Sequence, residues 1–407
     1  MQIKKPLSPR MVVWIASGVF ATIAPPAFSQ EYRPAVDDRV GGEEVYPIVP
    51  DEDLKSTSGW EIGALVSVAY DDNIFLSSTD AETDTVLNVA PQIAYRRGDP
   101  DAGEGFDASI GYRPTAVAYV DHGSENRFDH EAVALIGWRG KVTRIAYSGA
   151  FRKLGDATAE TGRPTDRLAF ANEVRAGWTA REKITMEGAV GSRQSDYLDP
   201  FYFDSRKDYA ELAVRYGYSP KTEVGLAYQV GRFHVDGSGK QDTHQLTANI
   251  VWQPRSKIRI DLEAGAEHRR TDLGSSTNPV LEGRIDWTPR KGTDLFVNGY
   301  MREEASAFYA GQNYSLHGAS AGVKQRLGGG WSARLDGGFE KYSYERVSGT
   351  GASGRKDSLW FIRPALVYEL TPESDLSLFY RFSENDSNDP AFGYDRTMLG
   401  VELNHQF

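Results

Sequence analysis

Side chains that could do chemistry are plentiful in this 407-residue chain, but few are grouped. Its seven histidines (His122, His130, His234, His244, His268, His317 and His405) include no pair at the spacing of a helical zinc site, and no Gly-x-Ser-x-Gly nucleophile elbow occurs. Asp129-His130-Glu131 sets an imidazole between carboxylates that could activate water. Successive side chains on a strand point to opposite faces, however, so a surface histidine is the expectation there. Asp71-Asp72-Asn73 offers oxygens of the kind a hard cation accepts. Adjacent oxygens converge only in special turn geometry, so a turn shaped by Asx side chains is expected instead. The aromatic stretch Tyr197-Leu198-Asp199-Pro200-Phe201-Tyr202-Phe203 could stack on sugar rings, though folding over a rim onto itself is the expected use. Metal clusters, cofactor motifs and phosphate loops are not found, and the reading is a non-enzyme.

The dense pattern is one of charge at alternate positions. In Lys257-Ile258-Arg259-Ile260-Asp261-Leu262-Glu263-Ala264, Ile258, Ile260, Leu262 and Ala264 fall on one side of a strand and the four charges on the other. Eighteen runs of this kind fill residues 59–407. Every second connection is a tight polar turn such as Arg139-Gly140-Lys141 or Gly328-Gly329-Gly330, and longer segments such as Leu154–Arg167 lie between them. The fold predicted is an all-β, closed antiparallel transmembrane barrel of eighteen strands, with short periplasmic turns and longer extracellular loops. Tyr112, Trp138, Trp178, Tyr216, Tyr218, Trp252, Trp287, Tyr300 and Trp331 are expected to form an aromatic girdle. The lumen is predicted to be lined by Lys257, Arg259, Asp261, Glu263, Arg284, Asp286, Arg302 and Arg381, joined in cross-strand ion pairs.

The flanks agree with export. Lys4, Lys5 and Arg10 precede an apolar run from Met11 to Ala24, and small residues at Ala27 and Ser29 predict a signal peptide over 1–29. Cleavage removes three positive charges and takes the formal net charge from −11 to −14, which excludes nucleic acid as a natural partner. Residues 30–58 hold eight acids against three bases and three prolines, the composition of a flexible periplasmic segment. At the other end Gly400, Val401, Leu403 and the terminal Phe407 resemble the signal read by the bacterial barrel-assembly machinery. That resemblance implies a Gram-negative outer membrane, with outer-membrane lipid and lipopolysaccharide around the wall.

The first strand runs into Tyr70-Asp71-Asp72-Asn73-Ile74-Phe75. That run and the terminal strand resemble the putative beta-barrel porin-2 family, and in length and rhythm the likeness extends over about residues 60–407. Many members of that family lie beside capsule or exopolysaccharide genes. The resemblance therefore implies an outer-membrane pore exporting a polysaccharide together with a periplasmic export protein. The alternative is a general or substrate-selective diffusion porin. Diffusion porins usually fold a long loop into the bore, and the loops here, about 14 residues or shorter, look too small to block so wide a barrel.

Overall fold

The computed structural model describes residues 58–98, 104–237, 239–272, 274–309, 311–344 and 354–407. The expected leader and all but the last residue of the acidic segment lie outside the described residues. The first six strands are β1 (Gly59–Asp71), β2 (Asp84–Arg97), β3 (Gly105–Tyr119), β4 (Arg127–Arg139), β5 (Thr143–Leu154) and β6 (Arg167–Arg181). Then come β7 (Ile184–Tyr197), β8 (Ser205–Ser219), β9 (Thr222–Val235), β10 (Gln241–Arg255), β11 (Ile258–Thr271) and β12 (Gly274–Arg290). The last six are β13 (Thr293–Ala305), β14 (Asn313–Gly328), β15 (Trp331–Tyr344), β16 (Lys356–Thr371), β17 (Ser374–Ser387) and β18 (Tyr394–Gln406). Each of the eighteen alternating runs in the sequence centres on one of these strands.

Every strand pairs antiparallel with its neighbours in sequence, and β18 returns to β1 with Val68 opposite Val401 and Ala69 opposite Gly400. The single closed sheet has no edge, as a wall in hydrocarbon requires. Its burial is the inverse of a soluble protein's. Leu212, Leu226 and Leu246 are exposed on the outer face, whereas Arg269, Glu267 and Asp357 are buried inside. Lipid covers the apolar face, so a one-residue slip in any register would carry Arg and Glu into the acyl chains. That penalty fixes the alignment of each strand.

Turn chemistry supports the alternation of ends. Gly328, Gly329 and Gly330 join β14 to β15 with φ of 94°, 59° and 84°, a left-handed run that side chains would strain. Trp138, Trp178, Tyr218, Trp252, Trp287 and Trp331 are exposed on the outer face near the turn ends, forming the expected girdle. Tyr300 does not join them, because its hydroxyl reaches Glu340 on the inner face. The wall is tall at β12, which begins at Gly274 and pairs with β11 from Thr271 onward, so the polar stretch Gly274–Pro279 belongs to the ladder.

Candidate functional site

The inner face of the barrel carries charges of both signs, and many are paired along their own strands. Arg259 donates to Asp261 at 2.8 Å, Arg284 to Asp286 at 2.7 Å, and Arg302 lies 2.8 Å from Glu304. The same two-residue step joins Arg175 to Glu173 and Arg269 to Glu267. Residues two apart on a strand share a face and stand roughly 6.7 Å apart, a span a guanidinium arm covers by lying along its own strand. Pairs along strands thus replace many of the cross-strand pairs expected. Cross-strand links do occur: Arg215 reaches Glu187 at 2.9 Å, and Arg144 also bonds Glu187. Glu263 shares the inner face with Glu282, which stands opposite it, and Arg381 sits 5.7 Å from the Phe361 ring centre. Lys257 is a correction. It occupies the turn between β10 and β11, where its ammonium donates to the Pro289 carbonyl at 3.1 Å.

The outer mouth departs most from expectation. Residues 155–166, between β5 and β6, form a small hairpin closed by a bridge between Ala157 and Pro164. This tongue crosses the bore. Glu160 accepts the Ala307 N–H at 2.6 Å, and Arg355 donates to the carbonyls of Glu160 (3.1 Å) and Ala159 (2.5 Å). Ala307 follows β13 and Arg355 precedes β16, each seven strands from the tongue's root around the ring. Ala159 packs among Tyr314, Leu316, Tyr342, Tyr344, Leu359 and Tyr394, together with Leu76 from the β1–β2 loop. Gly162 (φ +66°) passes the Phe392 ring so closely that a Cβ would stand 3.1 Å from it. A loop of this length thus spans to the far wall, against the expectation that such loops are too small to block so wide a barrel. A twelve-residue hairpin of small residues reaches inward because the opposite wall extends Tyr and Arg side chains to meet it.

Arg355 is the tongue's anchor. It lies buried beside Asp357, 2.8 Å from its carboxylate, with its guanidinium 3.4 Å from the Phe392 ring centre and 4.8 Å from that of Tyr344. Burial pushes the Glu160 carboxyl up to about 7, opposed by the Ala307 N–H and by Arg355. A carboxyl whose folded value lies above its ordinary 4.5 favours the seated tongue in its protonated form. That contribution is complete below pH 4.5 and fades as pH rises through about 7. Current fluctuations should therefore grow between pH 6 and 8 in planar bilayers, and Glu160→Gln should flatten the dependence; an unchanged profile in that variant would assign the effect elsewhere.

The aromatic stretch 197–203 folds over the rim as expected. Tyr202 is buried against Tyr197 and Phe308 and donates to the Thr161 carbonyl at 3.1 Å, while Phe201 stays exposed beside Arg163. His130 bonds Tyr112 on the outer face, away from the inward Asp129 and Glu131, so those three residues form no catalytic group. The closest histidine–carboxylate cluster was not evident from spacing: His122 bridges Asp84 (2.8 Å) and Glu82 (2.5 Å), which raise its pKa. It ties two outer loops together. No group of three ligands suited to a metal is present among the described residues.

The run Tyr70–Phe75 is a seam clamp. Asp71 accepts the Asn73 N–H at 3.1 Å in an Asx turn and pairs with Arg396 on β18 at 2.5 Å. Asp72 accepts the Thr397 N–H at 2.6 Å, and the Asn73 amide donates to the Asp395 carbonyl at 2.9 Å. Ile74 is buried with Val86 and Val117, while Tyr70 faces outward and Phe75 stands edge-on to His122. On β18, Gly400 leaves room for the Phe379 ring, which a Cβ would meet at 2.5 Å, while Val401 and Leu403 face lipid and the Phe407 N–H donates to Ile62.

No curated protein matches the chain. Among solved structures, OpdK of Pseudomonas aeruginosa, crystallised with vanillate, is 11% identical over 86% of this chain and 99% of its own, with a TM-score of 0.46. OccAB3 of Acinetobacter baumannii is 10% identical over 86% of this chain and 99% of its own, with a TM-score of 0.45. The siderophore receptor PirA of P. aeruginosa is 9% identical over 87% and 81%, with a TM-score of 0.42. Residues 265–407, from within β11 to the terminal Phe407, match the model of the family described as "Putative beta-barrel porin 2", the family that the opening run and the last strand resemble, and the closed eighteen-stranded wall is that of an outer-membrane β-barrel.

Proposed function

We propose that this barrel passes small polar solutes by selective diffusion, the tongue of residues 155–166 narrowing its outer mouth. The observation that carries this reading is the set of contacts from Ala159 and Glu160 to the far wall at Ala307 and Arg355. A polymer exporter needs a bore that stays wide along its length, and a hairpin lying across the mouth favours small cargo. Below the tongue the wall presents both signs. Glu263 and Glu282 stand opposite each other on β11 and β12, and Lys324 and Arg334 do so on β14 and β15. Such patches hold ions and zwitterions in turn without a single strongly basic ladder.

Swelling of liposomes containing the full-length protein tests the reading. Monosaccharides and amino acids should enter quickly, tetrasaccharides slowly, and long glucans not at all. Equal entry of long glucans, or loss of surface polysaccharide on gene deletion, would contradict it.

A further inference from the structure

We propose that the outer, lipid-facing ends of β8–β12 form a docking surface for the phosphate groups of outer-leaflet lipid headgroups. Six basic or imidazole side chains converge there: Arg206, Arg232, His234, His244, His268 and Arg270. All occupy the parity of the lipid face, in line with Leu212, Leu226, Leu246 and Leu262, which are exposed to hydrocarbon lower on the same strands. The registers make them one patch. Arg206 stands opposite His234, Arg232 opposite Asp242, Asp242 opposite Arg270, and His244 opposite His268.

A charged side chain on this face is costly in hydrocarbon and settles at headgroup depth. On β4, β5 and β6 the same end is mainly aromatic: Phe128, Phe151 and Phe170 occupy the lipid parity, and Phe128 is 62% exposed. Single basic side chains such as Lys153 and Lys341 occur on other sectors, and the cluster on β8–β11 is the denser one. Two acids, Asp208 and Asp242, bond Arg206 and Arg232 at 2.9 and 2.8 Å and hold their guanidinium groups in place. Arg270 adds a third positive charge, so the three arginines and two aspartates of the cluster sum to +1, with Asp236 and Asp272 beyond them at the rim.

The imidazoles are oriented as well. His244 Nδ1 lies 2.8 Å from the Tyr228 hydroxyl, and His268 Nδ1 lies 2.9 Å from Thr277 Oγ1. With those hydroxyls donating, each Nε2 carries the proton and becomes a donor to a headgroup oxygen. Both rings are exposed. Guanidinium forks suit phosphate oxygens bidentately, and each basic group near an anionic surface strengthens binding about fivefold.

The test uses the full-length protein in detergent, titrated with a bisphosphorylated disaccharide lipid and with the same lipid dephosphorylated, and read by native mass spectrometry. The phosphorylated form should stay bound in preference, and the triple variant Arg206→Gln/Arg232→Gln/Arg270→Gln should lose about tenfold or more of that affinity. Arg270→Gln alone, which breaks no ion pair with Asp208 or Asp242, should lose about fivefold and serves if the triple variant fails to assemble. Substituting Lys153 and Lys341 by Gln, on other sectors, should change little. Equal retention of the dephosphorylated lipid, unchanged affinity in Arg270→Gln, or an equal loss in the Lys153/Lys341 variant would overturn the proposal.

Discussion

Arg355→Ala should unseat the tongue and raise single-channel conductance severalfold while the barrel remains assembled. The guanidinium supplies the donors to two carbonyls of the tongue and neutralises Asp357, and neither Arg355 nor Asp357 exposes its side chain. Removing one partner of a buried ion pair leaves the other charge uncompensated, at a cost of about 3–5 kcal/mol. The mouth can relieve that strain by releasing the hairpin from the far wall, where the other polar hold is the Ala307 N–H on Glu160; Tyr202 and Asp199 hold Thr161 and Arg163 from the β7–β8 loop instead. Limited proteolysis should then cut within residues 155–166, which the intact mouth shields. Native conductance together with a protected tongue in Arg355→Ala would show that the arginine is no anchor.

The second large effect is expected at the seam. Arg396→Ala should cut the yield of assembled barrel and lower its thermal unfolding temperature, with Asp71→Ala behaving alike. Asp71 is buried and takes both the Arg396 fork and the Asn73 N–H, so losing the arginine strands a carboxylate where β1 meets β18. By the same buried-pair reasoning the cost is about 3–5 kcal/mol, concentrated on the strand junction that closes the sheet. The double variant Asp71→Asn/Arg396→Gln, which removes both charges, should recover much of the loss. Heat-modifiable electrophoretic mobility measures this directly; equal instability in single and double variants would remove the ion pair from the account of closure.

Much of the wall was legible in the sequence because alternation is a local signal. Leu376, Leu378, Tyr380 and Phe382 face lipid while Ser377, Arg381 and Ser383 face inward, as their parity requires. The turn at Lys257 shows where that signal weakens, since parity extends into a turn only on paper. The tongue was not legible. Ala157, Thr158, Ala159, Thr161 and Gly162 read as an ordinary surface loop, and the pocket that receives them is made by Tyr314, Tyr342, Tyr344 and Tyr394 on other strands. A signal existed in those tyrosines: aromatic residues at lumen parity on adjacent strand ends mark a place where something packs inside. Nor could spacing reveal that Asp71 meets Arg396, 325 residues away. The Asx turn at Asn73 was readable, and its partner across the seam was not.

The chain contains no cysteine, so paired thiols can be introduced without background. In Glu160→Cys/Ala307→Cys, a short bifunctional thiol reagent should join the two positions in the assembled protein and hold conductance at its low value. Failure to cross-link, with each thiol reacting as freely as one placed at the exposed Val120, would mean that the hairpin does not cross the mouth.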